Sequence, residues 1–294
     1  MGVADFAAIV VSSLEGIDVG TEMCWDYADK KFSIPKLFII NMADKDQSDF
    51  DSVLAALQSR YGRTVFPFTL PVNQGPNFNQ VADVLRKEVF TFKADGSGNY
   101  TEASAEGEWV QKLEGMHNDL IELIAESDES LLEIFFDKGE LSEDELRSGL
   151  HQALKTGGLI PVFCVAGKTN IGVKRMMDIL AKYAPCAGDF EEVVGTKPGS
   201  DEEVIHGPSI NDPLAARIFK TISEEHIGEM SFFRVYSGKV NAGDDLRNTS
   251  RDNSEKMRQI YFMSGNKRVD ASQLIAGDIG AALKLKNTHT GDTL

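Results

Sequence analysis

An asparagine and an aspartate stand three positions apart at the end of an apolar segment. Residues 36–40 are apolar after the first lysine, and Asn41-Met42-Ala43-Asp44 follow them. The carboxyl ends of buried strands are where parallel sheets bind ligands. A carboxylate offers two hydrogen-bond acceptors and an amide offers a matched donor and acceptor, which together suit the edge of a guanine base. A plainer interpretation stays open, in which Asn41 and Asp44 form a turn and cap the next helix.

A second candidate is Gly167-Lys168-Thr169, which stands between a predicted strand and a predicted helix. A phosphate-binding P-loop requires G-x-x-x-x-G-K-[ST], and its first glycine would fall at position 162. Val162 occupies that position. Without the glycine, the backbone lacks the tight curl that directs N–H groups at phosphate. The sequence therefore disfavours a P-loop here.

Alternating strands and helices must position these loops. Continuous apolar runs at residues 6–11, 36–40 and 159–164 are typical of strands buried on both faces. Residues 21–32 and 172–183 are predicted helices, and apolar spacing predicts a further amphipathic helix over 49–61. This order predicts a parallel α/β sheet with right-handed crossovers.

The alternation breaks between residues 64 and 158, which we interpret as an α+β insertion between neighbouring strands. Short strands are predicted at 64–72 and 89–93, before a turn at 95–99. Three helices follow, at about 107–125, 129–136 and 143–156, and Ser142 with Glu145 predicts a capping box for the last. Residues 102–148 carry 15 acidic and 3 basic residues. Such a block is either a solvated helix face or a docking surface for a basic protein.

A linker rich in Gly, Pro and acidic residues is predicted at 186–205. After it, short alternating segments predict an antiparallel β-barrel over 206–294, with strands at 215–220, 230–236, 257–263 and 280–285. Phe232 and Phe233 are neighbours on one strand, so at least one of them belongs to the core. Lys267 and Arg268 form a small basic spot, which suits either RNA contact or plain solvation.

The composition, with 42% hydrophobic and 26% charged residues, is ordinary for a globular protein. No apolar run approaches the roughly 20 residues that cross a bilayer, and the first residues do not resemble a secretory signal. Three widely spaced cysteines favour reduced thiols and a cytoplasmic location. The histidines show no metal-binding spacing and are expected to be surface or hydrogen-bonded residues rather than catalysts: His117, His151, His206, His226 and His289.

Three groups of segments resemble bacterial elongation factor G and keep that family's order. They are Thr21-Glu22-Met23-Cys24-Trp25 with residues 35–41; Phe232-Phe233-Arg234-Val235-Tyr236-Ser237-Gly238 with Asn241-Ala242-Gly243-Asp244; and Asn266-Lys267-Arg268 with Ala276-Gly277-Asp278-Ile279 and Thr290-Gly291-Asp292-Thr293-Leu294. The resemblance implies a translational GTPase that moves tRNA and messenger RNA on the ribosome. It also implies a partial doubly wound sheet, with the second half of the G domain at 1–63 and 159–185. The G′ insertion would occupy 64–158, and most of the barrel domain II would follow.

The resemblance implies a guanine site formed by Asn41, Met42, Asp44, Ala166, Gly167 and Lys168. The first three stand on the family motif N-K-x-D, and the last three stand on S-A-[KLF]. Met42 stands in place of the motif lysine. Methionine keeps an apolar stem but lacks the ammonium group. Ala166 replaces the serine. Both changes point to a diverged relative with weakened nucleotide binding.

By the same resemblance, GTP or GDP would bind with Mg²⁺ in a longer parent protein, of which this chain would be a fragment. We find neither an intact P-loop nor a D-x-x-G switch motif, so we expect no GTP hydrolysis, no tight GTP binding and no catalytic residue here. Expected partners are the ribosomal stalk protein, through the acidic insertion, and ribosomal RNA, through the barrel. The alternatives are a ribosome-binding module without a competent nucleotide site and a release-factor or ribosome-protection relative.

Overall fold

The computed structural model describes residues 2–138, 141–190, 193–224 and 228–294. Contacts divide the chain into two compact units, Met1–Pro185 and Cys186–Leu294. His226 lies outside the described residues, as do residues 191 and 192 of the predicted linker.

The first unit contains a parallel sheet with helices. Its elements in chain order are β1 (Ala7–Ser12), α1 (Val19–Asp26), β2 (Lys36–Asn41), α2 (Phe50–Tyr61), β3 (Val65–Pro67), β4 (Thr69–Pro71), β5 (Gln80–Asp83), β6 (Glu88–Phe92), β7 (Tyr100–Ser104), α3 (Glu108–Glu126), α4 (Glu129–Lys138), α5 (Glu143–Thr156), β8 (Ile160–Cys164) and α6 (Val173–Tyr183). A π-helical turn, Tyr27–Lys31, continues α1. The four-stranded parallel sheet has the order β1-β2-β8-β3.

The apolar patterns read from the sequence explain this core. Strand β8 is buried along its whole length, as a strand covered on both faces must be. Helix α2 buries the four residues that the helical spacing predicts, Phe50, Val53, Leu54 and Leu57. Ser142 and Glu145 form the predicted capping box at the start of α5.

The predicted insertion begins later than residue 64. Val65–Pro67 pairs with β8 in parallel and is therefore the edge strand of the main sheet. The chain leaves that sheet at Thr69, where β4 begins a separate antiparallel sheet of order β4-β5-β6-β7. A three-residue strand that ends in proline carries no readable periodicity. Strands β5 and β7 were not predicted either, and β7 is mostly exposed and carries no apolar alternation. We call residues 69–158 the inserted segment.

The second unit is built from antiparallel strands. They are β9 (Val193–Thr196), β10 (Glu203–His206), β11 (Ala215–Glu224), β12 (Gly228–Ser237), β13 (Lys239–Asn241), β14 (Asp245–Asn248), β15 (Asn253–Lys256), β16 (Ile260–Ser264), β17 (Lys267–Ala271), β18 (Gln273–Ile275) and β19 (Ile279–Leu283). The largest sheet has the order β11-β12-β19-β16-β17. Phe233 is fully buried in its core, as predicted for one of the two adjacent phenylalanines. The predicted linker, 186–205, overlaps the β9–β10 hairpin, which its Gly, Pro and acidic composition did not predict.

The predicted fold class is confirmed: a parallel α/β sheet with helices and an inserted α+β segment precedes antiparallel β structure.

Candidate functional site

The Asn41–Asp44 motif lies at the carboxyl end of β2. Asn41 is the last residue of that strand and pairs in register with Ser12 of β1. Met42 then turns the chain with a φ of 71°, and its carbonyl accepts a hydrogen bond from the Lys45 amide at 3.1 Å. Such a left-handed conformation is uncommon for a residue with a side chain. The turn leaves the motif at the sheet edge where parallel sheets bind ligands.

The second predicted loop connects β8 to α6. Reciprocal backbone hydrogen bonds between Ala166 and Ile171, at 2.9 and 3.1 Å, close the loop. Gly172 is the N-cap of α6 with a φ of 78°, and a Cβ there would lie 2.5 Å from the Cys164 carbonyl oxygen. Only glycine fits this position without moving the backbone. The loop is therefore a closed turn at the end of a buried strand.

The two loops are joined directly, although 126 residues separate the joined positions. The Gly167 amide donates a hydrogen bond to Asn41 Oδ1 at 2.9 Å. The Ala43 amide donates to the Val165 carbonyl at 3.3 Å. The structure therefore brings the two predicted groups of site residues together at one sheet edge.

These contacts determine which polar groups remain for a ligand. The Ala166 and Gly167 amides are both engaged, whereas the Lys168 amide has no hydrogen-bond partner among the described residues. Asn41 Oδ1 is also engaged, which leaves the Nδ2 group as its donor. The Asp44 carboxylate is mostly buried, and its one ionic neighbour in the described chain is the Lys45 ammonium at 3.6 Å. Two donors and a carboxylate acceptor complement a base with N7 and O6 acceptors and an amino donor, which is guanine.

The plainer interpretation is half right, because the Lys45 amide closes a turn on the Met42 carbonyl, but neither Asn41 nor Asp44 caps α2. Asp49 caps α2, because its carboxylate accepts a hydrogen bond from the Ser52 amide at 2.9 Å. An ordinary Asp cap thus stands a few residues further along the chain.

Met42 and Lys45 shape the apolar and charged sides of the motif. The Met42 side chain is 40% exposed, and its sulfur lies 3.9 Å from Ser12 Oγ. Lys45 was not predicted as a site residue, although a cation directly after Asp44 in the sequence was the signal. Its ammonium group lies 3.6 Å from the Asp44 carboxylate.

The remaining motif predictions have clear outcomes. Val162 lies inside β8, fully buried and paired with Phe38, so no P-loop curl forms there. Contrary to expectation, the sequence contains a D-x-x-G pattern, Asp95-Gly96-Ser97-Gly98. These residues form the turn between β6 and β7. Hydrogen bonds from the Ser97 side chain and amide hold the pKa of Asp95 below its ordinary value.

The histidines that the structure describes include two with backbone partners. His117 Nδ1 lies 3.0 Å from the Val84 carbonyl oxygen, and His151 Nδ1 lies 3.1 Å from that of Tyr183. Within the described ranges, no cluster of three or more metal-ligating side chains occurs. No described helix has the length and apolarity to cross a membrane.

Comparisons with known proteins agree with this architecture. The crystal structure of a protein from Thermus thermophilus superimposes with a TM-score of 0.83 at 23% identity, which shows a shared fold. The match covers 99% of this chain and 40% of that protein, so the chain spans well under half the length of its relative. The model for elongation factor G domain 2 matches residues 213–294, and the model for the elongation factor Tu GTP binding domain matches residues 1–186. The chain therefore belongs to the elongation factor Tu GTP-binding family, with an elongation factor G domain 2 after the GTP-binding region.

Proposed function

We propose that this chain supplies the guanine-recognition half of a translational GTPase. The proposed site residues are Asn41, Met42, Asp44, Ala166, Gly167 and Lys168. The observation that carries the proposal is the hydrogen bond from the Gly167 amide to Asn41 Oδ1, because it assembles two distant loops into one polar edge. Family membership supports use of GTP and GDP.

Each residue has a distinct chemical task in this proposal. Asp44 accepts hydrogen bonds from the N–H groups of guanine, and Asn41 Nδ2 and the Lys168 amide donate to its acceptors. Ala166 and Gly167 keep the loop small enough for close approach of a base. Met42 covers the base and ribose with an apolar stem, and Lys45 supplies nearby charge. Adenine presents a different pattern of donors and acceptors at the same edge, so the site selects guanine.

Phosphate and Mg²⁺ binding are not assigned to these residues. The loop that carries Gly167-Lys168-Thr169 lacks the P-loop glycine, and the described residues offer no metal-ligating cluster. Phosphate and metal contacts supply much of the affinity of nucleotide-binding proteins. We therefore expect the chain alone to bind GTP weakly and not to hydrolyse it.

The assignment of domains extends the proposal to the ribosome. The parallel sheet is proposed as the second half of the G domain, the inserted segment as G′, and the second unit as domain II. The complete gene product would couple GTP hydrolysis to translocation in the cytoplasm. Lys267 and Arg268 are both exposed on the β16–β17 hairpin, where a cationic spot suits ribosomal RNA.

The acidic helices are proposed to bind the basic surface of a ribosomal stalk protein. A cleft of about 460 Å³ lies beside α3, and Asp119, Glu122 and Glu126 contribute to its wall. Arg63 also lines the cleft and pairs with Glu126 at 2.7 Å. The net negative lining suits a basic partner.

Calorimetry of the complete gene product with GDP and ADP tests the guanine site. We expect GDP to bind more tightly than ADP, and Asp44→Ala to remove that preference. Asp46→Ala is the matched control, because Asp46 is an exposed aspartate two residues away. Equal binding of GDP and ADP by the unchanged protein, or no binding of either, would favour a ribosome-binding module without a nucleotide site.

A further inference from the structure

The inserted segment contacts both loops of the proposed guanine site. Near its start, the Gly75 amide donates a hydrogen bond to the Ala43 carbonyl at 2.8 Å. Further along, Asn170 Nδ2 donates to the Gly96 carbonyl at 3.3 Å. Ala43 lies between Met42 and Asp44, and Asn170 lies in the turn closed by Ala166 and Ile171. The inserted segment is therefore hydrogen-bonded to a backbone carbonyl in the first loop and to a side-chain amide in the second.

The contact at Asn170 is close and conformationally demanding. Asn170 has a φ of 59°, in the left-handed region that asparagine tolerates better than most residues. Gly98 is buried against it with a φ of 71°, and a Cβ at Gly98 would lie 2.6 Å from Asn170 Nδ2. The turn thus needs glycine at this place to approach the loop.

The turn itself is held in place from both sides. Within it, the Ser97 amide donates to Asp95 Oδ1 at 2.9 Å, and the Lys93 amide donates to the Asn99 carbonyl at 2.9 Å. The sheet that carries the turn is fastened to α6, the helix that follows the loop. Arg175 Nε pairs with the buried Asp83 carboxylate at 2.6 Å, and the Tyr100 hydroxyl donates to Asp178 at 3.0 Å. A turn anchored in this way can hold the loop that it touches.

We propose that Asn170 is a positioning residue for guanine recognition. Its side-chain amide, bound to Gly96, fixes the 166–171 loop so that the Gly167 amide meets Asn41 and the Lys168 amide faces the base. Asn170 touches no ligand in this account and acts through the loop backbone. The effect on guanine preference rests on the proposed function, whereas the effect on the loop does not.

Two substitutions isolate the side-chain amide. Asn170→Asp keeps the shape but places a carboxylate oxygen against the Gly96 carbonyl, where no hydrogen bond can form. Asn170→Gly accepts the positive φ without strain and removes the amide altogether. Asn99→Asp is the charge-matched control, because Asn99 is exposed in the same turn and its side chain has no hydrogen bond among the described residues.

The hydrogen-exchange rate of the Gly167 amide in the 294-residue chain measures how often the 166–171 loop opens. We expect about tenfold faster exchange in Asn170→Asp and a smaller increase in Asn170→Gly, with Asn99→Asp unchanged, because local opening sets the exchange rate. The urea midpoint of unfolding should stay the same in all variants. Unchanged Gly167 exchange in Asn170→Asp would overturn the inference, as would equal acceleration in Asn99→Asp.

The ratio of GDP to ADP affinity, measured in the complete gene product, separates this inference from the proposed function. With a guanine site present, Asn170→Asp should lower the ratio several-fold, and a general loss of stability would not change base preference. If the unchanged protein prefers GDP and Asn170→Asp has the same ratio of GDP to ADP affinity, the role of Asn170 in guanine recognition is overturned. A ratio of one in the unchanged protein would instead overturn the guanine site, and the exchange result would still decide whether Asn170 positions the loop.

Discussion

Asn41 Oδ1 accepts a hydrogen bond from the Gly167 amide at 2.9 Å, which joins the end of β2 to the loop after β8. One amide side chain therefore has two tasks in the proposed site. Its oxygen holds the second loop, and its Nδ2 group remains available to a base. Substitutions can separate these tasks, because only one of them needs a donor.

Asn41→Asp should keep the loop contact and lose the donor. The new carboxylate still accepts from Gly167, but it cannot donate to the acceptors of guanine, at a cost of about 1–3 kcal/mol in GDP binding. Asn41→Ala should lose both. In Asn41→Asp, GDP binding should weaken while hydrogen exchange at Gly167 stays unchanged. In Asn41→Ala, GDP binding should weaken and exchange at Gly167 should become faster. Undiminished GDP binding by Asn41→Asp would remove Asn41 from the site.

Met42→Lys should tighten GDP binding several-fold in the complete gene product. The exposed position of Met42 lets a lysine stem take the same path and return a cation to the face of the base, where such contacts contribute about 0.5–2 kcal/mol. Met177→Lys, at an exposed methionine on α6, adds the same charge elsewhere. If Met42→Lys and Met177→Lys bind GDP equally tightly, a lysine at position 42 contributes nothing specific to GDP binding.

In the complete gene product, reversing Glu122, Glu126 and Glu129 to lysine should slow ribosome-stimulated GTP turnover at low salt. Exposed charge pairing acts mainly on association rate and weakens as salt rises. Glu126 pairs with Arg63, so the triple reversal also breaks an ion pair. A double reversal of Glu122 and Glu129, which leaves that pair intact, should therefore be measured beside it. Reversal of Asp201, Glu203 and Asp270, which are exposed in the second unit, gives the same charge change. Turnover that responds equally to both triple reversals would mean that the acidic helices serve solubility only.

Asp83→Ala should destabilise the first unit by about 3–5 kcal/mol. The Asp83 carboxylate is fully buried and pairs with Arg175, which the change would leave largely buried without its partner charge. Glu102→Ala, which breaks an exposed pair with Arg86, should cost less than about 1 kcal/mol. Urea unfolding of both variants measures the difference. Similar small losses would show that the Asp83 pair does not hold the inserted sheet to α6.

The second unit should lose stability in acid through Asp292. Burial raises the pKa of this carboxyl, but hydrogen bonds from Asn248, the His289 amide and Arg251 outweigh burial and hold the pKa below the ordinary 3.8. A lowered folded pKa stabilises fully above 3.8, and this contribution disappears as pH falls through the lowered value. Asp292→Asn should flatten that part of the pH profile of unfolding, whereas Asp270→Asn should not. A profile that keeps its slope in Asp292→Asn would assign the acid sensitivity to other groups.

Long apolar patterns predicted the fold, and short elements escaped prediction. The helical spacing of Phe50, Val53, Leu54 and Leu57 carries enough information to define α2 and its buried face. Strand β3 has three residues, and only its pairing with β8 makes it part of the parallel sheet. Tertiary pairing of this kind cannot be read from local periodicity.

The sequence predicts which residues meet at the sheet edge, but not the hydrogen bonds that join them. Residue type and spacing nominate Asn41 and Asp44, and the family resemblance nominates residues 166–168. Which amide of the second loop remains available could not be predicted, because the answer depends on the contact between Asn41 and Gly167.

An amide titration of the 294-residue chain with guanosine and with adenosine tests the central claim most directly. The Lys168 amide is the donor that the second loop leaves available, so guanosine should move its ¹H–¹⁵N resonance downfield at millimolar concentration, and adenosine should not. Resonances of Met42 and Asp44 should change along the same binding curve. If the two nucleosides shift Lys168 equally, or if guanosine moves only resonances far from the Asn41–Gly167 contact, the two loops do not form a guanine site.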